Sequence, residues 1–179
     1  MTAPILTTDR LILRKPNAQD ADAALAFFQS DRSRYVGGPH SLGAAWRSFA
    51  GEIGHWDIRG YGMWTVTLKD TGRAIGLVGP WHPADWPEFE IGWLLFDDAD
   101  QGHGFAAEAA RAALDYAFVA LNQPTVVSYI APANSASIAL AERLGATLDK
   151  DAAQPHPDKP CLVYRHAADD NDGSPEAYA

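Results

Sequence analysis

The feature that most constrains the fold is the stretch at 88–118, where an apolar run, a glycine-containing loop and a helical pattern follow one another. Phe89 to Phe96 is apolar over a length suited to a β-strand. After a four-residue spacer with three aspartates, Asp97 to Asp100, the loop carries Gly102 and Gly104. Apolar residues then recur at three- and four-residue spacing, which predicts an amphipathic helix: Leu114, Ala117, Phe118 and Leu121.

The order of strand, glycine loop and helix is typical of anion-binding sites. The start of a helix presents unpaired N–H groups and the positive end of the helix dipole. Gly102 and Gly104 have no Cβ, so a phosphate can approach the main chain closely. Because no Lys or Arg occurs between Phe96 and Arg111, we expect main-chain amides to provide most of the binding.

Two motifs overlap in this loop. Gly102, Gly104 and Ala107 fit G-x-G-x-x-G/A, the dinucleotide fingerprint, but the spacer Asp97 to Asp100 separates them from the strand and no acidic residue ends the next strand. Gln101, Gly104 and Ala106 fit Q/R-x-x-G-x-G/A, which resembles the acetyl-CoA motif of the GNAT acetyltransferase superfamily. The rest of the chain has to distinguish the two.

The chain predicts a mixed α/β fold, in which a sheet carries helices on both faces, with the order β-α-α-β-β-β-α-β-α-β(-β). The predicted strands are 5–15, 62–68, 74–80, 89–96, 126–130, 147–148 and 161–165, the last two at sheet edges. The predicted helices are 18–30, 42–58, the helix after the glycine loop, and 134–144, and residues 31–40 are predicted as a loop. The predicted apolar stripe of helix 42–58 consists of Leu42, Ala45, Trp46, Phe49 and Ile53. Residues 31–60 suit either a mobile cover or ordinary surface structure. A single domain is predicted over 1–166, with an acidic, disordered tail at 167–179.

Charge and cysteine content restrict the class of partner. The net charge of −9 disfavours nucleic acid and suits a cationic partner such as an amine, although acidity also serves solubility. The single Cys161 indicates a reducing compartment, and no apolar run is long enough to span a membrane, so a cytoplasmic location is expected. The histidines have no metal-ligand spacing, so no metal is expected.

Four blocks, in order, resemble GNAT acetyltransferases of the RimJ/RimL type. They are Thr8 to Arg14, Ala74 to Gly79, Glu90 to Leu95 with the loop through Ala109, and Asn134-x-x-Ser137 with Glu142 to Gly145. The resemblance implies a GNAT fold with a central, mostly antiparallel, twisted sheet of six to seven strands, in which strands 4 and 5 splay apart and acetyl-CoA lies between them. The residues implied to bind acetyl-CoA are Trp93, Leu94, Leu95, Phe96, Gln101, Gly102, His103, Gly104, Phe105, Ala106, Asn134 and Ser137. Asn134 can equally cap the following helix.

The resemblance implies direct transfer of an acetyl group to an amine, with the thioester carbonyl polarised by the amide of Trp93 or Leu94. Glu90 is the first candidate for the base, because a carboxylate in a partly apolar cleft has a raised pKa, but substrate contact or a solvated strand end are alternatives. His82 is the rival base. Many family members protonate the leaving thiolate with a tyrosine where this chain has Ala141; Ser137 is the remaining candidate acid, or only packs beside the cofactor.

Several points stay open. The acceptor can be a protein N-terminus or a small-molecule amine, which Trp46, Trp64, Trp81 or Trp86 can help to enclose. The protein can be a monomer or a homodimer. A non-catalytic CoA-binding sensor is the alternative function, and an NAD- or flavin-binding protein is a third.

Overall fold

The structure is a computed structural model that describes residues 3–168. Most of the predicted tail, residues 169–179, lies outside the described residues. The strands are β1 Leu6–Thr7, β2 Leu11–Arg14, β3 Trp64–Leu68, β4 Ala74–Trp81, β5 Glu90–Leu95, β6 Val126–Ile130, β7 Thr147–Leu148 and β8 Leu162–His166. The helices are α1 Ala21–Gln29, α2 Leu42–Arg59, α3 Phe105–Asp115 and α4 Ser135–Arg143.

The described strands form one sheet in the order β1-β2-β3-β4-β5-β6-β8-β7, in which only β5 and β6 run parallel. This confirms the predicted mixed fold with a mostly antiparallel sheet, although the sheet has eight strands and not six or seven. The predicted first strand is two strands, because Thr8 and Leu11 exchange hydrogen bonds that close a tight turn. The predicted edge strand at 161–165 is also wrong in position, since β8 lies between β6 and β7.

Helices cover both faces of the sheet, as predicted. On β5, side chains alternate between the faces, so Trp93 and Leu95 join the core cluster that α3 packs against, whereas Leu94 and Phe96 join the cluster of α1 and α2. The predicted fourth and fifth strands are therefore β5 and β6, with α3 as the crossover between them.

Part of the apolar stripe predicted for α2 is wrong. Leu42 and Trp46 were expected to be buried, but they are 61% and 62% exposed. The helix packs instead through Ala45, Phe49 and Trp56, which belong to the two core clusters. Residues 31–40, predicted as a loop, contain a 3₁₀ helix at Asp31–Val36.

The described helices include none that is both long and apolar enough to cross a membrane.

Candidate active site

The site is centred on the point where β5 and β6 separate. The two strands share a single register pair, Glu90 with Val127, and the Val127 N–H donates to the Phe89 carbonyl over 3.0 Å. One residue later, the Ser128 hydroxyl donates a hydrogen bond to the Ile91 carbonyl over 2.7 Å. Beyond this contact no further β5–β6 pair forms between the described strands, so the predicted splay is confirmed.

The Ser128 hydroxyl is held in place by His166 of β8, whose Nε2 lies 3.0 Å from it. Because the single hydroxyl hydrogen goes to the Ile91 carbonyl, the imidazole must donate from Nε2. Burial lowers the pKa of His166 to about 4, so the ring is neutral at physiological pH. No sequence motif pointed to Ser128 or His166.

We expect Ser128→Ala to destabilise the fold by about 1–3 kcal/mol, because it leaves the Ile91 carbonyl and the His166 N–H buried without partners. Urea unfolding measures this loss. Ser128→Thr is the matched control, since it keeps the hydroxyl on a strand that already favours β-branched residues. Equal midpoints for Ser128→Ala and the native protein would contradict the role of this hydrogen bond.

The register of β5 determines which main-chain groups face the gap. In an antiparallel pair, the main-chain N–H and C=O groups of successive residues point alternately toward the partner strand and away from it. The Phe96 N–H donates to Ile75 of β4 at 2.8 Å and Leu94 is paired with Leu77, so even-numbered residues hydrogen-bond to β4. The amide of Trp93 therefore points into the gap, and the amide of Leu94 does not.

A cleft of about 790 Å³ lies between β5, the glycine loop and the start of α4; we call it the loop cleft. Gly102 and Gly104 both have positive φ, 77° and 80°, which a residue with a side chain rarely adopts. Gly104 is the N-cap of α3 and offers no capping side chain, so the first amides of α3 stay free for a ligand. The predicted anion-binding geometry is thus present.

Most of the residues implied to bind a cofactor line this cleft: Trp93, Leu94, Leu95, Gln101, Gly102, Gly104, Phe105, Ala106, Asn134 and Ser137. Phe96 and His103 do not belong to the lining. Phe96 packs with α1 and α2, and the His103 ring stacks on Phe105 with 5.6 Å between ring centres.

The fold brings arginines to the loop cleft from distant parts of the chain. Arg32, Arg34 and Arg143 contribute to its lining. The Arg32 guanidinium donates to the carbonyls of Leu95 and Phe96 and forms an ion pair with Asp98. The local sequence contains no cation, so a reading of the loop alone missed these residues, and main-chain amides are not the only positive groups present.

The first turn of α4 connects the loop cleft to a second cavity. The Asn134 side chain accepts from the Ser137 N–H at 3.3 Å, so it caps the helix as one prediction had it. The Ser137 hydroxyl accepts from the Trp93 indole at 3.1 Å. Both Asn134 and Ser137 also line the second cavity, so capping does not remove them from the site.

The second cavity, of about 990 Å³, is lined by two carboxyl groups and is called the carboxyl cavity here. Glu90 lies at the start of β5, and its Oε2 accepts from the Trp86 indole at 2.6 Å. Burial raises the pKa of Glu90 to about 7, although hydrogen bonds from Trp86 and the Tyr129 main chain oppose the shift. A carboxylate with that pKa can exchange protons near neutrality.

Glu52 of α2 is the second carboxyl group, and it was not among the residues predicted from the sequence. It is 7% exposed, lines the carboxyl cavity, and its Oε2 makes no hydrogen bond. Burial, together with repulsion from Glu90, raises its pKa to about 8. An amphipathic pattern assigns a glutamate to the solvent side, so no local pattern identifies Glu52.

His82, the rival base, does not belong to the lining of either cavity. Its main-chain N–H donates to the His55 ring at 3.0 Å, and its own ring lies 3.4 Å from the Tyr61 hydroxyl. Trp81 and Trp86 line the carboxyl cavity, whereas Trp64 is fully buried in the core.

No cluster of side chains that could hold a metal ion occurs within residues 3–168.

The sequence matches a family model for the acetyltransferase (GNAT) domain over residues 10–147. It is 33% identical over 150 residues to a protein of Bacillus subtilis (strain 168) named as the uncharacterized N-acetyltransferase YoaA, which covers 79% of this chain and 82% of that relative.

Two solved structures are similar to this fold. The acetyltransferase from Agrobacterium tumefaciens str. C58 is 43% identical with a TM-score of 0.87, covering 94% of this chain and 96% of that one. RimL, a ribosomal L7/L12 alpha-N-protein acetyltransferase in complex with coenzyme A, has a TM-score of 0.69 at 21% identity, and the match covers 94% of this chain and 99% of that one. At that identity the similarity supports the fold alone.

Proposed function

This chain belongs to the GNAT acetyltransferase family, and we propose that it transfers an acetyl group from acetyl-CoA directly to a primary amine. One observation carries the proposal: the β5–β6 gap opens between the free amides at the start of α3 and a cavity that contains the Glu90 carboxylate. A thioester held in that gap is next to an acceptor held in the cavity, and such proximity lowers the barrier by several kcal/mol.

In this proposal the diphosphate of acetyl-CoA binds to the amides of the loop and the first turn of α3. The free helix terminus of Gly104 supports this assignment, and the guanidinium groups of Arg32 and Arg143 add positive charge to the same cleft. The pantetheine arm hydrogen-bonds to the edge of β5 that β6 leaves open, at Trp93 and Leu95. Coenzyme A is bound by RimL, a protein of similar fold.

Two groups support the chemistry at the end of the gap. The amide of Trp93 faces the gap and is our candidate for polarising the thioester carbonyl, in preference to Leu94, whose amide is used by β4. Glu90 is our candidate for the base that removes a proton from the ammonium group, and its pKa of about 7 suits that role.

Protonation of the leaving thiolate has weaker support. Ala141 cannot donate a proton, and it is fully buried against the core. The Ser137 hydroxyl lines both cavities and remains the candidate donor; its hydrogen bond from Trp93 also fits a purely packing role. Because a CoA thiolate is a good leaving group, solvent can supply this proton.

Thiol release in the presence of acetyl-CoA and a panel of amines tests the function. We expect amine-dependent release together with micromolar acetyl-CoA affinity. Binding of acetyl-CoA without turnover for any peptide or small amine in the panel would favour the alternative of a non-catalytic CoA-binding protein. Tighter binding of NAD or a flavin than of acetyl-CoA would overturn the loop assignment and favour the dinucleotide alternative.

Three broader expectations remain proposals: one catalytic domain over 1–166, a cytoplasmic location, and a monomer or homodimer in solution. Sedimentation and cell fractionation test the last two.

A further inference from the structure

We propose that Glu52 makes the acceptor site selective for a positively charged amine, by pairing with Glu90 to bind the ammonium ion of an acceptor whose apolar body lies against the indole rings of the carboxyl cavity. The inference deepens the proposed function and rests on it, since it names the chemical class of the acceptor.

The first support is the position of Glu52. It is buried, it lines the same cavity as Glu90, and its Oε2 is without a partner. Leaving a buried carboxyl oxygen unpaired costs free energy. No ion pair with Lys or Arg involves Glu52 or Glu90 anywhere in the described part of the chain. A buried acid without a structural partner, facing a cavity, is explained by a ligand that supplies the missing partner.

The other charged and titratable groups that line the cavity are either exposed to solvent or neutral. Arg34 from the 3₁₀ helix, Arg47 from α2, and His156 and Lys159 from the loop before β8 line the cavity, but all four are exposed. Water screens these exposed side chains, so they neutralise Glu52 and Glu90 only weakly. Tyr129 of β6 and Cys161 also face the cavity, and burial raises the pKa of each, so both stay neutral.

Coupling between the two acids sets the charge that the cavity prefers. Burial raises the pKa of both groups, and repulsion from Glu90 adds to the shift at Glu52, so the pair holds about one negative charge near neutrality. A monovalent ammonium ion balances that charge, whereas a neutral or anionic acceptor does not. Trp81 and Trp86 add apolar walls that also attract a cation through their ring faces.

The proton balance of the transfer fits this arrangement. The bound ammonium ion gives one proton to Glu90, the nitrogen lone pair forms the N–C bond, and the C–S bond breaks with its electrons on sulfur. Nitrogen then loses a second proton, which neutralises the thiolate and gives the free thiol. Glu90 then returns its proton to solvent, which restores the negative charge of the pair for the next acceptor.

Calorimetric titration tests the selectivity with two probes of the same shape, phenethylamine as the cation and 2-phenylethanol as the neutral analogue, with and without CoA. At pH 9, above the raised pKa of both acids, we expect the native protein to prefer the amine by about 10- to 100-fold, as for a hydrogen bond to a charged group, and Glu52→Gln to reduce that preference by about tenfold. Asp85→Asn, which removes an exposed carboxylate outside the cavity lining, should keep it. No preference in the native protein, or an unchanged preference in Glu52→Gln, overturns the proposal.

Stability measurements separate binding from a structural role. The folded pKa of Glu52 is raised from 4.5 to about 8, so its contribution is most favourable below about pH 4.5 and is lost as the pH rises toward 8. Glu52→Gln should therefore be at least as stable as the native protein, with an advantage that grows between pH 5 and 8. A less stable variant across this range indicates a structural carboxylate and overturns the inference. If acetyl-CoA itself fails to bind, the proposed function fails while the amine-to-alcohol ratio still reports on Glu52.

Discussion

Glu90→Gln is expected to lower kcat by about 100- to 10,000-fold, the usual range for loss of a general base. The amide keeps the shape of the side chain and can still accept from the Trp86 indole, but it cannot take a proton. Affinity for acetyl-CoA should stay within about threefold, because Glu90 lines the carboxyl cavity and not the loop cleft. Steady-state thiol release and a separate cofactor titration measure the two quantities.

The pH dependence gives the same prediction an independent readout. Because the base must be ionised, kcat/KM of the native enzyme should rise with pH through about 7, the raised pKa of Glu90. The residual kcat/KM of Glu90→Gln should not rise with pH in this range. Glu90→Asp should show the rise, but with a lower kcat/KM. If kcat/KM of Glu90→Gln still rose with pH as in the native enzyme, another residue would be the base, and His82 would be the next to test.

Gly104→Glu is expected to weaken acetyl-CoA binding by at least about 100-fold. The substitution brings a carboxylate to the amides proposed to bind the diphosphate, and like charges at such a contact cost several kcal/mol. The Gly104 φ of 80° adds backbone strain for any side chain. An added Cβ lies 3.5 Å from the Arg10 guanidinium, an ordinary contact, so the fold should survive.

Three variants separate charge from strain at this position. Gly104→Gln has the same size without the charge, Gly104→Ala carries the strain alone, and Gly104→Asn tolerates the left-handed conformation best. We expect affinity to fall in the order Asn, Ala, Gln, Glu, with circular dichroism unchanged throughout. Native affinity in Gly104→Glu would show that the diphosphate binds elsewhere.

The sequence predicted the parts of the site that depend on local structure. The strand, glycine loop and helix at 88–118 form as expected, because strand propensity, positive-φ glycines and an apolar stripe are properties of neighbouring residues. The splay of β5 and β6 followed from the resemblance to a known family and not from periodicity. Glu90 was predicted because it begins a recognisable strand and matches a glutamate of the family motif, and its role stays a prediction.

Long-range packing determined what the sequence did not predict. Glu52 and Arg32 reach the site from segments that local patterns assign to solvent, and they become site residues only because α2 and the 3₁₀ helix cover the sheet. The burial of Trp46 was predicted wrongly for the same reason, since a helical stripe does not reveal which of its residues contact a neighbouring element. Ser128 has no distinguishing feature in the sequence, because its contact with His166 forms only in the folded sheet.

The separation of β5 from β6 leaves main-chain amides in the middle of a sheet without strand partners. A cofactor that pairs with them completes the sheet, and whatever binds the folded chain alone raises its stability in proportion to the logarithm of its concentration. If acetyl-CoA binds there as proposed, its supply also sets the protein's resistance to unfolding and proteolysis. A shortage of acetyl-CoA would then leave the protein both inactive and more easily degraded.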